Sequence, residues 1–346
     1  MVHTVPPYER EPSDDKDRAR GPDGARTPLR GRDAELAFLK ERIDALGRGE
    51  GGIVRVEGPA GIGRSRILAE AAAAARRHGT RAFAGTAAPE DRPVPLGPLL
   101  EAGLSGEEPL PGAPRLRNLA TAPGQRFWLL QELGDHLREA ARNGPLLIVL
   151  DDLQWCDDLT LLAFHTLAAG LAAHPILWLV AVRSGSVPSG VRTTLDRIRQ
   201  AGAHELVLEA LEDRAIDRIT EDVLGAPPGP DVLRLARRAE GVPRLLVDLL
   251  GSLSKEAVTI ENGTARLTAG PPAPRELPSV VRRLDQLSDE ARELVRTAAA
   301  AAARSPSPSS PNCSAGPRRR SSRPYGNPST PTCSPRAATT SPSATT

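Results

Sequence analysis

Between an apolar strand pattern, Gly51-Gly-Ile-Val-Arg-Val-Glu57, and an alanine-rich helical pattern from Ser65 to His78 lies Gly58-Pro59-Ala60-Gly61-Ile62-Gly63-Arg64-Ser65. Strand, glycine turn and helix make the first half of a βα unit, and such units build parallel sheets covered by helices. Glycines let successive backbone N–H groups curl toward one point, and the start of the following helix adds partial positive charge there. The spacing fits the phosphate-cradling pattern G-x-x-x-x-G-K-[ST] at every position but the lysine, where Arg64 stands. Ser65 would offer its hydroxyl to Mg²⁺, and Arg66 follows in the first helical turn. Arginine is a larger, planar fork than lysine, so the replacement bears on hydrolysis more than on binding. With three lysines against 42 arginines in the chain, a general drift from lysine to arginine is consistent with it.

A second signal is Leu146-Leu-Ile-Val-Leu150-Asp151-Asp152, an apolar run ending in two carboxylates. The run has the look of a strand buried on both faces of a parallel sheet. Carboxylates at the C-terminal end of such a strand point into the crevice where these sheets bind ligands. Asp151 would hold Mg²⁺ directly or through water, and Asp152 would polarise an attacking water. The alternative for either is a helix cap, a role open also to Asp157 and Asp158.

The rest of the chain divides by composition. Residues 1–27 are polar and charged with no apolar periodicity, and are expected to be a disordered lead-in. Residues 28–210 alternate helices and strands: a helix over Asp33–Leu46, a weak strand at Arg81–Gly85, a helix from Gln125 to about Asn143, and another at about Leu159–Ala172. Further strands fall at Ile176–Val182 and Glu205–Leu208. A Pro/Gly-rich loop with a short apolar interruption at Leu96–Leu104 is expected over Pro89–Pro123. This alternation predicts an α/β sandwich with a parallel sheet. Over 211–275 the pattern turns helical (Glu212–Leu224, Asp231–Glu240, Arg244–Leu253) and then, over 254–275, becomes a hairpin or loop. Helical spacing resumes across 276–303, and 304–346 is a Ser/Pro/Arg-rich segment expected to be disordered.

Net charge supports this division. The whole chain carries +2, but the last acidic residue is Glu293, and residues 1–293 hold 38 basic against 43 acidic residues, a net −5. The basic excess belongs to the tail, so the body does not read as a nucleic-acid-binding surface. Arg318-Arg319-Arg320 with Arg323 could give weak, salt-sensitive phosphate binding, but apart from Tyr325 no aromatic residue accompanies them. Cys156 is the only cysteine before the tail, and His78, His136, His165, His174 and His204 lack metal-ligand spacing. No apolar run reaches the roughly 18 residues needed to cross a bilayer, and the N-terminus has no signal-like apolar stretch. A cytoplasmic setting with no membrane contact is expected.

Taken in order, five segments carry a resemblance: Leu29-Arg-Gly31-Arg32-Asp33-Ala-Glu35-Leu36, the glycine loop, Val149-Leu-Asp-Asp-Leu-Gln-Trp155-Cys-Asp157-Asp158, the strand ending Val182-Arg183, and Gly241-Val-Pro243. Together they resemble the N-terminal ATPase module of large ATP-binding regulators of the LuxR type, signal-transduction ATPases of the STAND class related to AAA ATPases. The resemblance covers about residues 28–303. It implies a P-loop NTPase three-layer sandwich with a parallel sheet, a small helical lid and the start of a winged helix, with ATP and Mg²⁺ as ligands. It places Gly31 and Arg32 against the nucleotide base and makes Arg183 a sensor of the γ-phosphate. Gly241 and Pro243 become the element by which the lid closes on the nucleotide. ATP or ADP binding and self-association through the ATPase module follow from it, and no specific DNA binding is expected of this chain.

The family continues into helical repeats and a C-terminal helix-turn-helix. Here the resemblance stops near residue 303, and the acid-free tail reads like a GC-rich gene out of frame, so a frameshift near codon 300 truncating a longer regulator is expected. Three outcomes stay open at this level. One is a switch that hydrolyses ATP slowly with Arg64 and Asp152 at work, another a nucleotide-binding scaffold without turnover, and the third a non-functional remnant.

Overall fold

The computed structural model describes residues 28–89, 94–104, 109–110, 116, 126–253, 257–268 and 289–304. The expected disorder at 1–27 and 305–346, most of the Pro89–Pro123 loop and residues 276–288 lie outside them. The elements run α1 (Asp33–Gly47), β1 (Gly52–Gly58), α2 (Arg64–Arg77), β2 (Arg81–Thr86), α3 (Gly97–Leu104), α4 (Arg126–Arg142), β3 (Leu146–Asp151), α5 (Asp158–Gly170) and β4 (Ile176–Arg183). They continue with α6 (Ser189–Gln200), β5 (His204–Val207), α7 (Asp213–Leu224), α8 (Pro230–Ala236), α9 (Pro243–Gly251), β6 (Val258–Glu261), β7 (Thr264–Leu267) and α10 (Asp289–Arg304).

The first five strands form one parallel sheet in the order β2-β3-β4-β1-β5. β3 shows why the sheet is sandwiched: all six of its residues are buried. Because successive strand side chains point to opposite faces, Leu146, Ile148 and Leu150 enter one apolar cluster with α4, α5 and α6, whereas Leu147 and Val149 enter a second with α1 and α2. Trp178 of β4 packs on Phe164 of α5 with ring centroids 5.3 Å apart. On the opposite face Ile67, Leu68, Ala71, Ala72 and Ala75 of α2 supply the seam, the small alanines allowing close approach to the sheet. Each large side chain so buried contributes about 1.5–3 kcal/mol.

Three elements differ from the sequence expectation. α6 was not anticipated; its Val191, Leu195 and Ile198 are buried at spacings of four and three, within an otherwise polar stretch. α3 forms where only an apolar interruption of a loop was expected, and packs on β2. The single helix expected over Asp231–Glu240 breaks after Ala236 into a 3₁₀ turn, Arg237–Ala239, with Glu240 at φ +50°.

After the sheet, α7, α8 and α9 surround their own cluster of Leu211, Ile216, Ile219, Leu246 and Leu250. The undecided segment 254–275 contains an antiparallel hairpin, β6–β7, turned at Asn262-Gly263 with both residues at positive φ. It is pinned to the start of α8, where Asp231 Oδ2 accepts from the Leu267 N–H at 2.7 Å and Gly229 N–H donates to the Ala265 carbonyl at 2.8 Å. α10 belongs to a second unit that begins at Ser288, and exposes Leu294 and Val295. No helix among the described residues is long and apolar enough to cross a membrane.

Candidate functional site

Three strand ends converge: β1 ends at Gly58, its neighbour β4 at Arg183, and β3, beyond β4, at Asp151. Gly58 is in register with Arg183, and the Ser184 N–H donates to the Gly58 carbonyl at 3.0 Å. From Gly58 the chain turns through Pro59 and Ala60 to Gly61 and Gly63, at φ +80° and +103°, and enters α2 at Arg64. Those left-handed angles suit glycine, since a Cβ there is strained. Gly63 stands at the N-cap of α2, where no side chain makes a capping hydrogen bond. Uncapped amides at the start of a fourteen-residue helix favour an anion. Ile62 is buried beneath the loop in the α1–α2 cluster, and the Arg66 guanidinium reaches Glu70 along α2 at 3.1 Å.

The carboxylates meet this loop one apiece. Asp151, buried at the end of β3, accepts from the Ser65 hydroxyl and from the Asp152 N–H, the latter at 2.8 Å. Burial pushes its carboxyl above the ordinary range, and the neighbouring Asp152 charge adds to this. The Ser65 and Asp152 hydrogen bonds and the Arg64 charge oppose the shift without cancelling it. Asp152 sits at φ +54°, a region aspartate tolerates, and its Oδ1 accepts from Arg64 Nη2 and Gln154 Nε2, both at 2.8 Å. Neither aspartate caps the next helix. Asp157 does, accepting from the Leu159 and Thr160 N–H groups at 3.0 Å.

The pKa direction makes a test. An aspartate whose carboxyl is raised in the folded state stabilises the fold fully below its unfolded pKa, and that contribution is lost as pH rises through the folded value. At pH above the ordinary carboxyl range an aspartate at 151 therefore costs stability relative to a neutral side chain. Asp151→Asn removes the buried charge while its oxygen can still accept from the Asp152 N–H, and is expected to raise the melting temperature of the nucleotide-free protein while weakening Mg²⁺-dependent ATP binding. Calorimetry with and without Mg·ATP checks it; a lower melting temperature in the free protein would contradict the assignment.

Arg64 does not project into the hollow of the loop. Nη1 donates to the carbonyls of Gly58 and, at 3.2 Å, Pro59, Nη2 to Asp152, and Nε is buried without a hydrogen-bond partner among the described residues. No local pattern signals this, because the motif specifies a residue type and not the direction in which a longer side chain folds. Arg32 is likewise committed: its guanidinium donates to the Ile62 carbonyl at 3.3 Å, the Glu209 carbonyl at 2.6 Å and Glu35 at 2.9 Å. Arg32 thus ties the loop to the chain leaving β5 toward α7, and Gly31 packs tightly against Ala215 of α7. The Arg183 side chain is exposed, makes no hydrogen bond among the described residues, and lines a cavity of about 250 Å³ with Gln154 and Trp155.

The α7–α9 helical unit reaches the loop through main chain. Pro243 opens α9, and the N–H of Arg244 donates to the Gly61 carbonyl at 3.1 Å. Gly241, at φ +71°, returns the chain to the sheet, its carbonyl accepting from the Leu211 N–H at 2.8 Å. Gly31, Arg32, Gly58–Arg66, Asp151, Asp152, Arg183, Gly241 and Pro243 thus gather around one end of the sheet. Sequence reasoning missed Gln154 and Arg244, although Gln154 lies inside the Val149–Asp158 segment that carries part of the family resemblance.

A parallel five-stranded sheet between helical layers, with the glycine loop after its first strand and paired carboxylates after its third, is the α/β fold of P-loop NTPases. More narrowly, residues 28–179 match the family model described as an AAA ATPase domain. No curated protein matches the chain. Among solved structures, ORC1 of Aeropyrum pernix in complex with DNA is 22% identical, over 66% of this chain and 60% of that one, with a TM-score of 0.46. Cdc6p of Pyrobaculum aerophilum is 17% identical (69% and 65% covered, TM-score 0.49), and AMPPCP-bound DnaA of Aquifex aeolicus 16% (65% and 62%, 0.41). The chain thus spans less than two thirds of each of these structures, and likeness at this level carries neither ligand nor activity across.

Proposed function

We propose that this module is an ATP-dependent switch: it binds ATP in the Gly58–Ser65 loop, closes its α7–α9 lid over the nucleotide, and resets by slow hydrolysis. The observation that carries the reading is the joining of the loop to both carboxylates, Ser65 with Asp151 and Arg64 with Asp152, at the end of β3. The Gly61–Arg244 bond gives the lid a direct mechanical link to the same loop. The five sequence segments support a finer reading, a signal-transduction ATPase module of the LuxR-regulator type that self-associates and passes its nucleotide state to transcriptional output.

Ser65 and Asp151 suit Mg²⁺. A hydroxyl and a carboxylate already in contact supply two hard oxygen donors, and Mg²⁺ characteristically takes few protein ligands and completes its shell with water and phosphate oxygens. When bound, the ion would neutralise charge developing on the phosphates. The chain's own groups do the rest. Loop amides orient the phosphates, and Asp152 accepts a proton from a water that attacks the γ-phosphorus as the bond to the ADP oxygen breaks. Arg64 must exchange Asp152 and the loop carbonyls for phosphate oxygens, and that exchange is what slows the cycle.

The same commitment of Arg64 favours a second reading, nucleotide binding without turnover. Lysine, a shorter point charge, would release Asp152. On the switch reading Arg64→Lys raises the ATP hydrolysis rate by about tenfold, through better-placed charge at the phosphates. Phosphate release by wild type, Arg64→Lys and Asp152→Asn decides between the readings, and equal background rates in all three eliminate the enzyme.

A further inference from the structure

We propose that Gln154 is a positioning residue for Asp152, fixing which carboxylate oxygen acts as the base; this rests on the hydrolysis reading above. Gln154 is buried in the 3₁₀ turn Leu153–Trp155 and spans two strand ends. Its Oε1 accepts from the Arg183 N–H at 3.0 Å, and its Nε2 donates to Asp152 Oδ1 at 2.8 Å. A backbone N–H can only donate and a carboxylate can only accept, so the amide has one permitted orientation.

The consequence falls on Asp152. Its Oδ1 takes two donors, Gln154 Nε2 and Arg64 Nη2, while Oδ2 accepts no hydrogen bond from any described residue. The two oxygens are therefore chemically unequal: Oδ1 is saturated, and Oδ2 keeps its lone pairs for a proton. Rotating the carboxylate would break charge-assisted hydrogen bonds, the strong kind. The backbone is fixed as well, at φ +54° with its N–H on Asp151.

Gln154 matters most when nucleotide is present. As Arg64 turns to phosphate, one of the two donors on Oδ1 leaves, and Gln154 is the one that stays. Because its other end holds the Arg183 main chain, it also makes the orientation of Asp152 depend on the position of the β4 terminus.

Gln154→Leu and Gln154→Glu in the full chain separate positioning from simple tethering of β3 to β4. Glutamate keeps the acceptor for the Arg183 N–H but offers Asp152 a second acceptor in place of the donor. Steady-state hydrolysis at pH 8, ATP and ADP affinity and thermal melting are compared with wild type. Both variants are expected to lose about 10- to 100-fold in kcat, the scale of a misplaced catalytic group, with KM and ADP affinity within about twofold, as expected for a group acting only on the chemical step. If Gln154→Leu does not fold, Gln154→Glu carries the test, since it keeps the shape and the strand tether. Wild-type kcat in Gln154→Glu overturns the proposal, as does a loss of kcat and nucleotide affinity in parallel with melting temperature. If wild type itself hydrolyses only at background, the hydrolysis reading fails and takes this proposal with it; an active wild type matched by its variants overturns this proposal alone.

Discussion

Asp152→Asn is expected to lower ATP turnover by about a hundredfold or more, the range a positioned general base supplies, while ATP binds at least as tightly as in wild type. Asparagine tolerates the left-handed backbone at φ +54°, and its oxygen can still accept from Arg64 and Gln154, so the site keeps its shape. What disappears is a negative charge and a proton acceptor. Without the charge, Arg64 is freed for phosphate, and a carboxylate that repels the γ-phosphate is gone. The nucleotide-free protein should lose about 1 kcal/mol, because a largely buried guanidinium trades a charged partner for a neutral one at a partly exposed position. ATP should restore that loss. Phosphate release and melting curves with and without ATP read all three effects, and unchanged turnover in Asp152→Asn would remove it from the chemistry.

Gly241→Val is expected to be the most damaging single change in the lid. A Cβ at this position would come within 2.6 Å of the Leu211 carbonyl oxygen and 2.8 Å of its nitrogen, both backbone atoms that cannot swing away. The φ of +71° is strained for any side chain and most of all for a β-branched one. Together these cost about 3 kcal/mol or more, lowering the melting temperature by roughly 6–12 °C for a chain of this size. Relief of the clash requires the 241–244 segment to move, which draws the Arg244 N–H from Gly61. Nucleotide affinity should therefore fall beyond what reduced stability explains. A variant that melts and binds like wild type would refute the view of Gly241 as the joint between the α7–α9 helices and the sheet.

How much of this was legible in the residues follows from the range of each interaction. The glycine loop and β3 were readable because local constraints decide them: left-handed glycines between strand and helix, and an apolar run long enough only for a strand buried on both faces. The Asn262-Gly263 dipeptide is a strong turn signal, and it turns the β6–β7 hairpin within the 254–275 segment whose pattern admits either hairpin or loop. α6 escaped notice because Val191, Leu195 and Ile198 are its few apolar members, so the periodicity is present and the composition hides it. The sheet order could not be read, since pairing β1 with β4 and β5 is decided by packing across the whole chain. The same holds within the site. Arg32 meets Glu209 across 177 residues and Arg64 meets Asp152 across 88, contacts between charged side chains and distant groups that no local pattern encodes.

The central claim is that the Gly58–Ser65 loop is a working nucleotide site despite Arg64. Titrating the full chain with fluorescent ATP and ADP analogues, with and without Mg²⁺, tests it most directly. The account predicts saturable one-to-one binding of both nucleotides, with Mg²⁺ tightening ATP and Asp151→Asn removing most of that tightening. Absence of saturable binding by either nucleotide, in protein that melts cooperatively, would contradict it.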